Sequence, residues 1–225
     1  MDVREAVASR YSCRAFVPDP VPEEIVREIV ERAARAPSGG NVQPWRVEVI
    51  ADARVEALKA LLAPRMGELP KGEGTEYPIF PPDMKEPFRT RRFAVGELLY
   101  RSLGVAREDR PARLRQYARN FEFFGAPVGL FFAIDRSLDV AQWSDLGGYV
   151  QTVMLLARAY GLHTCPQEAW ASWHKTASVF LDLPPEWMLF CGMALGYGDP
   201  DAPINSWRSP REPLESFARF SGFSR

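Results

Sequence analysis

Apolar residues along the chain fall into two patterns, one at helical spacing and one in short continuous runs. In residues 22–36 they recur every three or four positions, which predicts an amphipathic helix. Nearly unbroken apolar runs at 128–134 and 187–197 predict two buried strands. Residues 45–51 predict a further strand. Few strands separated by helices indicate an α+β or mixed α/β fold around a small sheet.

A long apolar segment at 140–160 predicts a helix with apolar residues around most of its circumference. Such a helix is expected to be wholly buried, either in the centre of the domain or at a subunit interface. Gly147 and Gly148 cost roughly 1 kcal/mol each in helix propensity, which a close approach by another helix or a ligand would offset. Further helices are predicted at 3–10, 53–62, 88–103, 112–120 and 171–183.

Two segments lack regular patterning. Residues 64–87 contain many prolines and glycines and predict a long irregular excursion, of the kind that often serves as a lid. Residues 198–225 form a proline-rich arm whose Phe217, Phe220 and Phe223 predict that it packs on another surface. We expect one domain over residues 1–225, because 225 residues with 46% hydrophobic content suffice for a single core.

Charge and cysteine content exclude several classes of protein. The net charge of −1 does not favour a general nucleic-acid or anionic-membrane role. The charged first ten residues do not predict a signal peptide, and no apolar run reaches the length of a membrane span. Three cysteines without a Cys-x-x-Cys pair fit a reduced cytoplasmic protein better than a disulfide framework.

The most informative segment is the loop at 37–45, between a predicted helix and a predicted strand. Gly39 and Gly40 allow positive φ and close approach of the backbone to a flat ligand. Asn41 and Gln43 add two amides, each a donor and an acceptor, that can read the edge of a heterocycle.

A second polar segment lies near the N-terminus, where Arg10, Ser12 and Arg14 offer two guanidinium groups and a hydroxyl suited to a phosphate. A loop that can recognise the edge of a ring, together with a segment that can bind a phosphate, suggests a mononucleotide cofactor such as FMN. The only histidines, His163 and His174, leave little for a metal site or for Ser-His-Asp or Cys-His catalysis. The catalyst is therefore expected to be a bound cofactor, with no metal.

Taken together, these segments resemble the FMN-dependent nitroreductase family. The resemblance extends over most of the chain and is nearest to the subgroup that acts on nitroaromatics such as nitrobenzoate. The matching segments are Arg10–Arg14, Pro37–Trp45, Gly161–Ala169, Gly192–Tyr197 and Arg211–Leu214, with Phe123–Pro127 pointing to the subgroup.

The resemblance implies a nitroreductase-like fold with a small, mainly antiparallel sheet flanked by helices. It also implies an intertwined homodimer with FMN sites at the interface and ping-pong hydride transfer from NAD(P)H to a nitroaromatic or quinone. Helix 140–160 would then be the dimer helix, and the aromatic arm would pack on the partner.

Roles for individual residues follow from the same resemblance. Arg10, Ser12, Arg14 and Arg211 would hold the phosphate, and Arg208 would replace a cation that the family often has where this chain has Ser209. Backbone N–H groups of Glu168 and Ala169, the predicted catalytic positions, would face flavin N5. Phe123 and Phe124 would wall the substrate pocket, and Arg89, Arg91 and Arg92 are candidates for the flavin N1–O2 edge. The full predicted cofactor set is Arg10, Tyr11, Ser12, Arg14, Pro37, Ser38, Gly39, Asn41, Gln43, Pro166, Gln167, Glu168, Ala169, Arg208 and Arg211.

Other functions remain open at this point. One is a reductive dehalogenase or flavin-degrading enzyme of the same superfamily, for which Glu73 and Tyr77 have a suggestive four-residue spacing. Another is a non-catalytic protein that binds FMN for storage or redox sensing. The physiological electron acceptor and the preference for NADH or NADPH do not follow from the sequence.

Overall fold

The computed structural model describes residues 1–69 and 71–223. Residue 70, inside the predicted excursion, and residues 224–225, at the end of the predicted arm, lie outside the described residues. Strands within the described ranges are β1 (Arg46–Ala51), β2 (Val128–Asp135), β3 (His163–Gln167) and β4 (Trp187–Gly196). Helices there are α1 (Val3–Ser9), α2 (Glu23–Ala33), α3 (Ala53–Glu68), α4 (Phe88–Ser102), α5 (Arg110–Ala118), α6 (Val140–Ala159) and α7 (His174–Phe180).

The four strands form one antiparallel sheet in the order β1-β2-β4-β3. This confirms the predicted α+β class with a small antiparallel sheet. Strand β3 was not predicted, because its five residues include Pro166 and show no alternation of apolar and polar positions. It lies at the sheet edge, where a proline without an N–H is tolerated.

Both faces of the sheet are buried, which explains the continuous apolar run of β2. Leu130 and Phe132 of β2 belong to one core cluster with residues of α2 and α6. Phe131, between them, points into a second cluster that contains Trp170 and Trp173. The sheet therefore separates two apolar layers, and its edges carry the polar segments described below.

Several predicted boundaries differ from the structure. Helix α3 continues to Glu68, so the irregular excursion is shorter than predicted. Asp52, the residue before this helix, has φ 46°, and its side chain makes no capping hydrogen bond. The helix predicted at 171–183 is instead a 3₁₀ segment, Glu168–Trp173, followed by the shorter α7.

Helix α6 is not buried on all sides within the chain. Leu146, Tyr149 and Val153 face the core, but Val140 is 77% exposed, and the glycine pair at 147–148 has open space around it. The arm is similarly uncovered, since Phe217, Phe220 and Phe223 are all exposed in the single chain. Of the two predicted environments for α6, the domain centre is therefore wrong, and the subunit interface stays a prediction.

Candidate functional site

A cavity of about 570 Å³ lies where the beginning of the chain meets its last segment. It brings together four of the arginines that the sequence predicted for a phosphate, Arg10, Arg14, Arg208 and Arg211. Hydroxyls of Tyr11, Ser12 and Ser209 line the same cavity, together with Trp207, Val95 of α4 and Gln151 of α6. The two predicted halves of the phosphate site are thus adjacent in space, although they are far apart in sequence.

The cavity concentrates positive charge. Partial burial and the nearby charge of Arg211 lower the pKa of Arg10. Arg211 Nη1 donates to Ser209 Oγ at 2.7 Å, and Arg14 Nη1 donates to the Ser12 carbonyl at 3.2 Å. Like charges held this close favour an anion that accepts hydrogen bonds from several of them, and a phosphate fits that donor set.

Arg208 lies over an aromatic ring. Its guanidinium carbon is 3.7 Å from the centroid of the Tyr11 ring, a cation–π contact. The edge of the same tyrosine ring meets His163 at a centroid distance of 5.2 Å. Burial, with the nearby charges of Arg158 and Arg208, lowers the pKa of His163 to about 4, so this imidazole is neutral at pH 7.

The loop at 37–45, which was predicted to recognise the edge of a ring, does not line this cavity. Gly39–Asn41 form a 3₁₀ turn, and the Gly39 N–H donates to the Asp145 carboxylate of α6 at 3.1 Å. Positive φ was expected of Gly39 and Gly40 and is found at Gly40 but not at Gly39. Asn41 and Gln43 also have positive φ. Both amide side chains are exposed, so within one chain the loop presents them outward.

The segment predicted to pass flavin N5 begins at the end of β3. Gln167 is 2% exposed, and its Nε2 donates to the Asn120 carbonyl at 2.6 Å, so its side chain faces the protein interior. Glu168 is exposed, yet desolvation by the neighbouring protein raises the pKa of its carboxyl. Burial raises the pKa of the Cys165 thiol to about 11, which fits a packing role.

Phe123 and Phe124 do not form the wall of a substrate pocket in this chain. Their exposures are 0% and 1%, and Phe123 stacks on Trp170 at 5.0 Å in the second core cluster. Both have positive φ, and that conformation turns the rings inward beneath β2, where Gly129 leaves room for Phe123. The predicted substrate contact is therefore corrected to a core contact.

The three candidate arginines of α4 have different partners. Arg89 pairs with Glu86 at 2.8 Å, and Arg91 pairs with Glu212 at 3.0 Å. Arg92 lies over the ring of Phe80 at 3.8 Å. Arg91 thus ties α4 to the segment that carries Arg211 at the cavity.

The excursion is anchored along its first half. The Glu73 side chain is 7% exposed and accepts from the Thr176 N–H at 3.0 Å and from Arg65 at 2.9 Å. Glu76 pairs with Arg136, and the Tyr77 hydroxyl donates to the Phe190 carbonyl. Residues 73–77 are consequently held against the fold by three separate contacts.

Sequence reasoning missed Trp207, Ser209 and Gln151 as lining residues. Ser209 could have been found from its position two residues before Arg211, but the other two carry no chemical signal of their own. Among the described residues no group of three His, Cys, Asp or Glu side chains is placed to hold a metal ion. No helix in the described ranges is both long and apolar enough to cross a membrane.

Comparison with known proteins agrees with this geometry. The profile of the nitroreductase family matches residues 7–197. A 4-nitrobenzoate reductase of Pseudomonas putida is 40% identical over 224 residues, which cover 100% of this chain and 97% of the relative. The crystal structure of an FMN- and NADPH-dependent nitroreductase, NfnB of Sphigopyxis sp. strain HMH, is 42% identical, with a TM-score of 0.95 over 99% of this chain and 100% of that one. NfnB of Mycobacterium smegmatis, solved with NADPH, is 32% identical, with a TM-score of 0.92 over 97% of each chain.

Proposed function

The chain belongs to the nitroreductase family, and we propose that it is an FMN-dependent oxidoreductase that uses NAD(P)H to reduce nitroaromatic compounds or quinones. The relatives over its full length support a nitroaromatic acceptor, since one reduces 4-nitrobenzoate. Two structural neighbours support NADPH as the reductant, because one depends on it and the other was solved with it.

The observation that carries this proposal is the cavity with four guanidinium groups. The FMN phosphate bears about −1.5 to −2 charges at neutral pH, so several cations are needed to offset it. Arg10, Arg14 and Arg211 would hold the phosphate with the hydroxyl of Ser12, and Arg208 would add a fourth cation. When bound, FMN would supply the chemistry of hydride transfer between NAD(P)H and the oxidant.

The remaining cofactor contacts come from the loop and from the end of β3. Asn41 and Gln43 would read the pyrimidine edge with their exposed amides. The backbone N–H groups of Glu168 and Ala169 would donate toward flavin N5. The scarcity of histidines is consistent with a site that needs no side-chain base there.

We place the cofactor between two copies of the chain. The open side of α6 and the three exposed phenylalanines of the arm give each copy apolar surface that a homodimer would cover. Loop 37–45 is absent from the lining of its own chain's cavity, and Asn41 and Gln43 are exposed, which suits contact with the partner's cofactor. Three free, buried cysteines fit a reducing cytoplasm as the setting.

The dehalogenase alternative loses its supporting residues. Glu73 is committed to Thr176 and Arg65, and the Tyr77 hydroxyl is committed to the Phe190 carbonyl. Neither group is free to grip an amino-acid substrate while these bonds persist. The contacts of this excursion therefore favour a structural role over recognition of a zwitterion.

Anaerobic stopped-flow absorbance tests the proposal. The purified protein is mixed with NADH or NADPH and then with 4-nitrobenzoate, while the oxidised flavin band is followed. We expect rapid bleaching by at least one nicotinamide and return of the band with the nitroarene. A band that does not bleach with either nicotinamide would favour a non-catalytic FMN-binding protein, and no band even after added FMN would refute the cofactor assignment.

A further inference from the structure

The phosphate cavity has two walls that come from opposite ends of the sequence. One wall is Arg10–Arg14, and the other is Trp207–Arg211. The separation of the walls sets how many guanidinium groups can reach one phosphate at the same time. A residue that fixes this separation would therefore control recognition of the phosphate without touching it.

Asn205 joins the two walls. It lies at the end of a 3₁₀ turn, Pro203–Asn205, and is 5% exposed. Its Oδ1 accepts the backbone N–H of Arg14 at 2.9 Å. Its Nδ2 donates to the carbonyls of Ala15 and Asp199, each at 2.8 Å. The buried amide thus has partners for its oxygen and for both of its N–H groups, and it holds residues that are 191 positions apart.

The same residue also holds Arg208. The Asn205 carbonyl accepts from Arg208 Nη1 at 2.9 Å, and the Trp207 carbonyl accepts from the same nitrogen at 2.9 Å. The ring of Tyr11, from the opposite wall, supports the guanidinium from below at 3.7 Å. Within the part of the chain that the structure describes, only Nη1 of Arg208 makes hydrogen bonds, so Nε and Nη2 remain available to a ligand.

We infer that Asn205 is a positioning residue for the cofactor phosphate, acting through the Arg14 backbone and through Arg208 on its Tyr11 support. This inference rests on the proposed function, because it takes the ligand of the cavity to be FMN. If the inference holds, Asn205 contributes to the difference in affinity between FMN and riboflavin. Riboflavin has the same ring system as FMN but lacks the phosphate. A purely structural role would affect both ligands equally.

The test compares FMN and riboflavin binding to the full chain after removal and readdition of flavin, followed by quenching of flavin fluorescence. We expect Asn205→Ala to weaken FMN binding by about tenfold, equivalent to about 1.4 kcal/mol, and to change riboflavin binding by less than about twofold. Asn205→Asp keeps the shape but turns a carboxylate oxygen toward two carbonyls, so it should show the same loss of selectivity. Ser206→Ala is the matched control. Among the described residues the Ser206 hydroxyl donates only to the Pro203 carbonyl, at 2.7 Å, next to the same turn.

Equal losses for FMN and riboflavin, or no loss for FMN, would overturn the inference. If both Asn205 variants fail to fold, Tyr11→Leu provides a second test, because it removes the ring under Arg208 and leaves the Asn205 amide unchanged. Tyr11→Leu should lower the ratio of FMN affinity to riboflavin affinity. Tyr11→Phe keeps the ring and should leave this ratio near the wild-type value. An unchanged ratio in Tyr11→Leu would count against the inference. Failure of the cofactor assignment is distinguishable, because the wild-type protein would then bind neither flavin or would bind both equally. Failure of the reductase activity alone would leave selective FMN binding intact and would appear only as a flavin band that neither nicotinamide bleaches.

Discussion

Replacing Glu73 by glutamine tests whether the negative charge of Glu73 holds the irregular excursion against the rest of the fold. The carboxylate is 7% exposed and accepts from the Thr176 N–H at 3.0 Å, the Thr176 hydroxyl at 2.6 Å and Arg65 at 2.9 Å. Glutamine keeps one acceptor oxygen but places an amide N–H₂ where the carboxylate now meets donors. Hydrogen bonds to charged groups contribute about 1.5–3 kcal/mol, and water screens part of the Arg65 contribution.

We therefore expect Glu73→Gln to lower the free energy of unfolding by about 2–3 kcal/mol. For a chain of this size that corresponds to a fall of about 4–12 °C in Tm. Burial alone would raise the pKa of Glu73, but the hydrogen bonds from Thr176 and the charge of Arg65 outweigh it and lower the pKa. The stabilisation is consequently present above the unfolded pKa of about 4.3 and is lost as the pH falls through the folded value.

Thermal unfolding at neutral pH measures the effect, and trypsin cleavage after Lys71 reports local opening of the excursion. Glu31→Gln, on the exposed side of α2, is the control and should change stability by less than about 0.5 kcal/mol. A double-mutant cycle with Arg65→Gln should give a coupling energy above about 0.5 kcal/mol. The reasoning fails if Glu73→Gln melts within about 1 °C of the wild-type protein or if the two substitutions are additive.

Three further outcomes follow from single contacts. The pKa of His163 is about 4 in the folded protein, which is below the value of about 6.5 in the unfolded chain. The neutral imidazole therefore contributes its full stabilisation above about pH 6.5. As the pH falls to about 4 the free energy of unfolding decreases by up to about 3 kcal/mol. Denaturant unfolding at pH 7.5 and 4.5 should show less acid dependence in His163→Gln, and an unchanged dependence would contradict this. A Cβ at position 192 would overlap the Trp170 indole, whose Nε1 would lie 2.8 Å away. Gly192→Ala should therefore lower the free energy of unfolding by about 1–3 kcal/mol, measured by thermal unfolding. An unchanged stability would show that the ring can move. Glu168→Gln should leave bleaching of the flavin by NADPH within about threefold of wild type in stopped-flow, because loss of a true general acid or base would slow it by at least about 100-fold.

Elements that depend on local sequence could be predicted well. Strands β2 and β4 were predicted within a residue or two of their bounds, since short continuous apolar runs bounded by polar or turn residues favour buried strands over helices. Arg10 and Arg14 were predicted from their own segment, because cations and a hydroxyl suit a phosphate, whereas Arg208 and Arg211 were implied only by the family resemblance. The resemblance to a known family then related the two distant segments to one ligand.

Features that depend on distant contacts could not be predicted. Phe123 and Phe124 are apolar and precede Gly125, which is compatible with a pocket wall or with the core, and only their positive φ turns them inward. Strand β3 exists because β4 offers it an edge, not because its own residues favour a strand. Asn205 has an ordinary sequence environment, and its importance arises from a partner 191 residues away.

The joining of two distant segments by Asn205 has a consequence for the order of events during synthesis. The ribosome releases Arg10–Arg14 early, but Arg208 and Arg211 only after the whole sheet has been made. A nascent chain that has not yet emitted Trp207–Arg211 therefore lacks one side of this cavity, although its sheet is complete. We expect such a truncated product to bind FMN more weakly than the full chain.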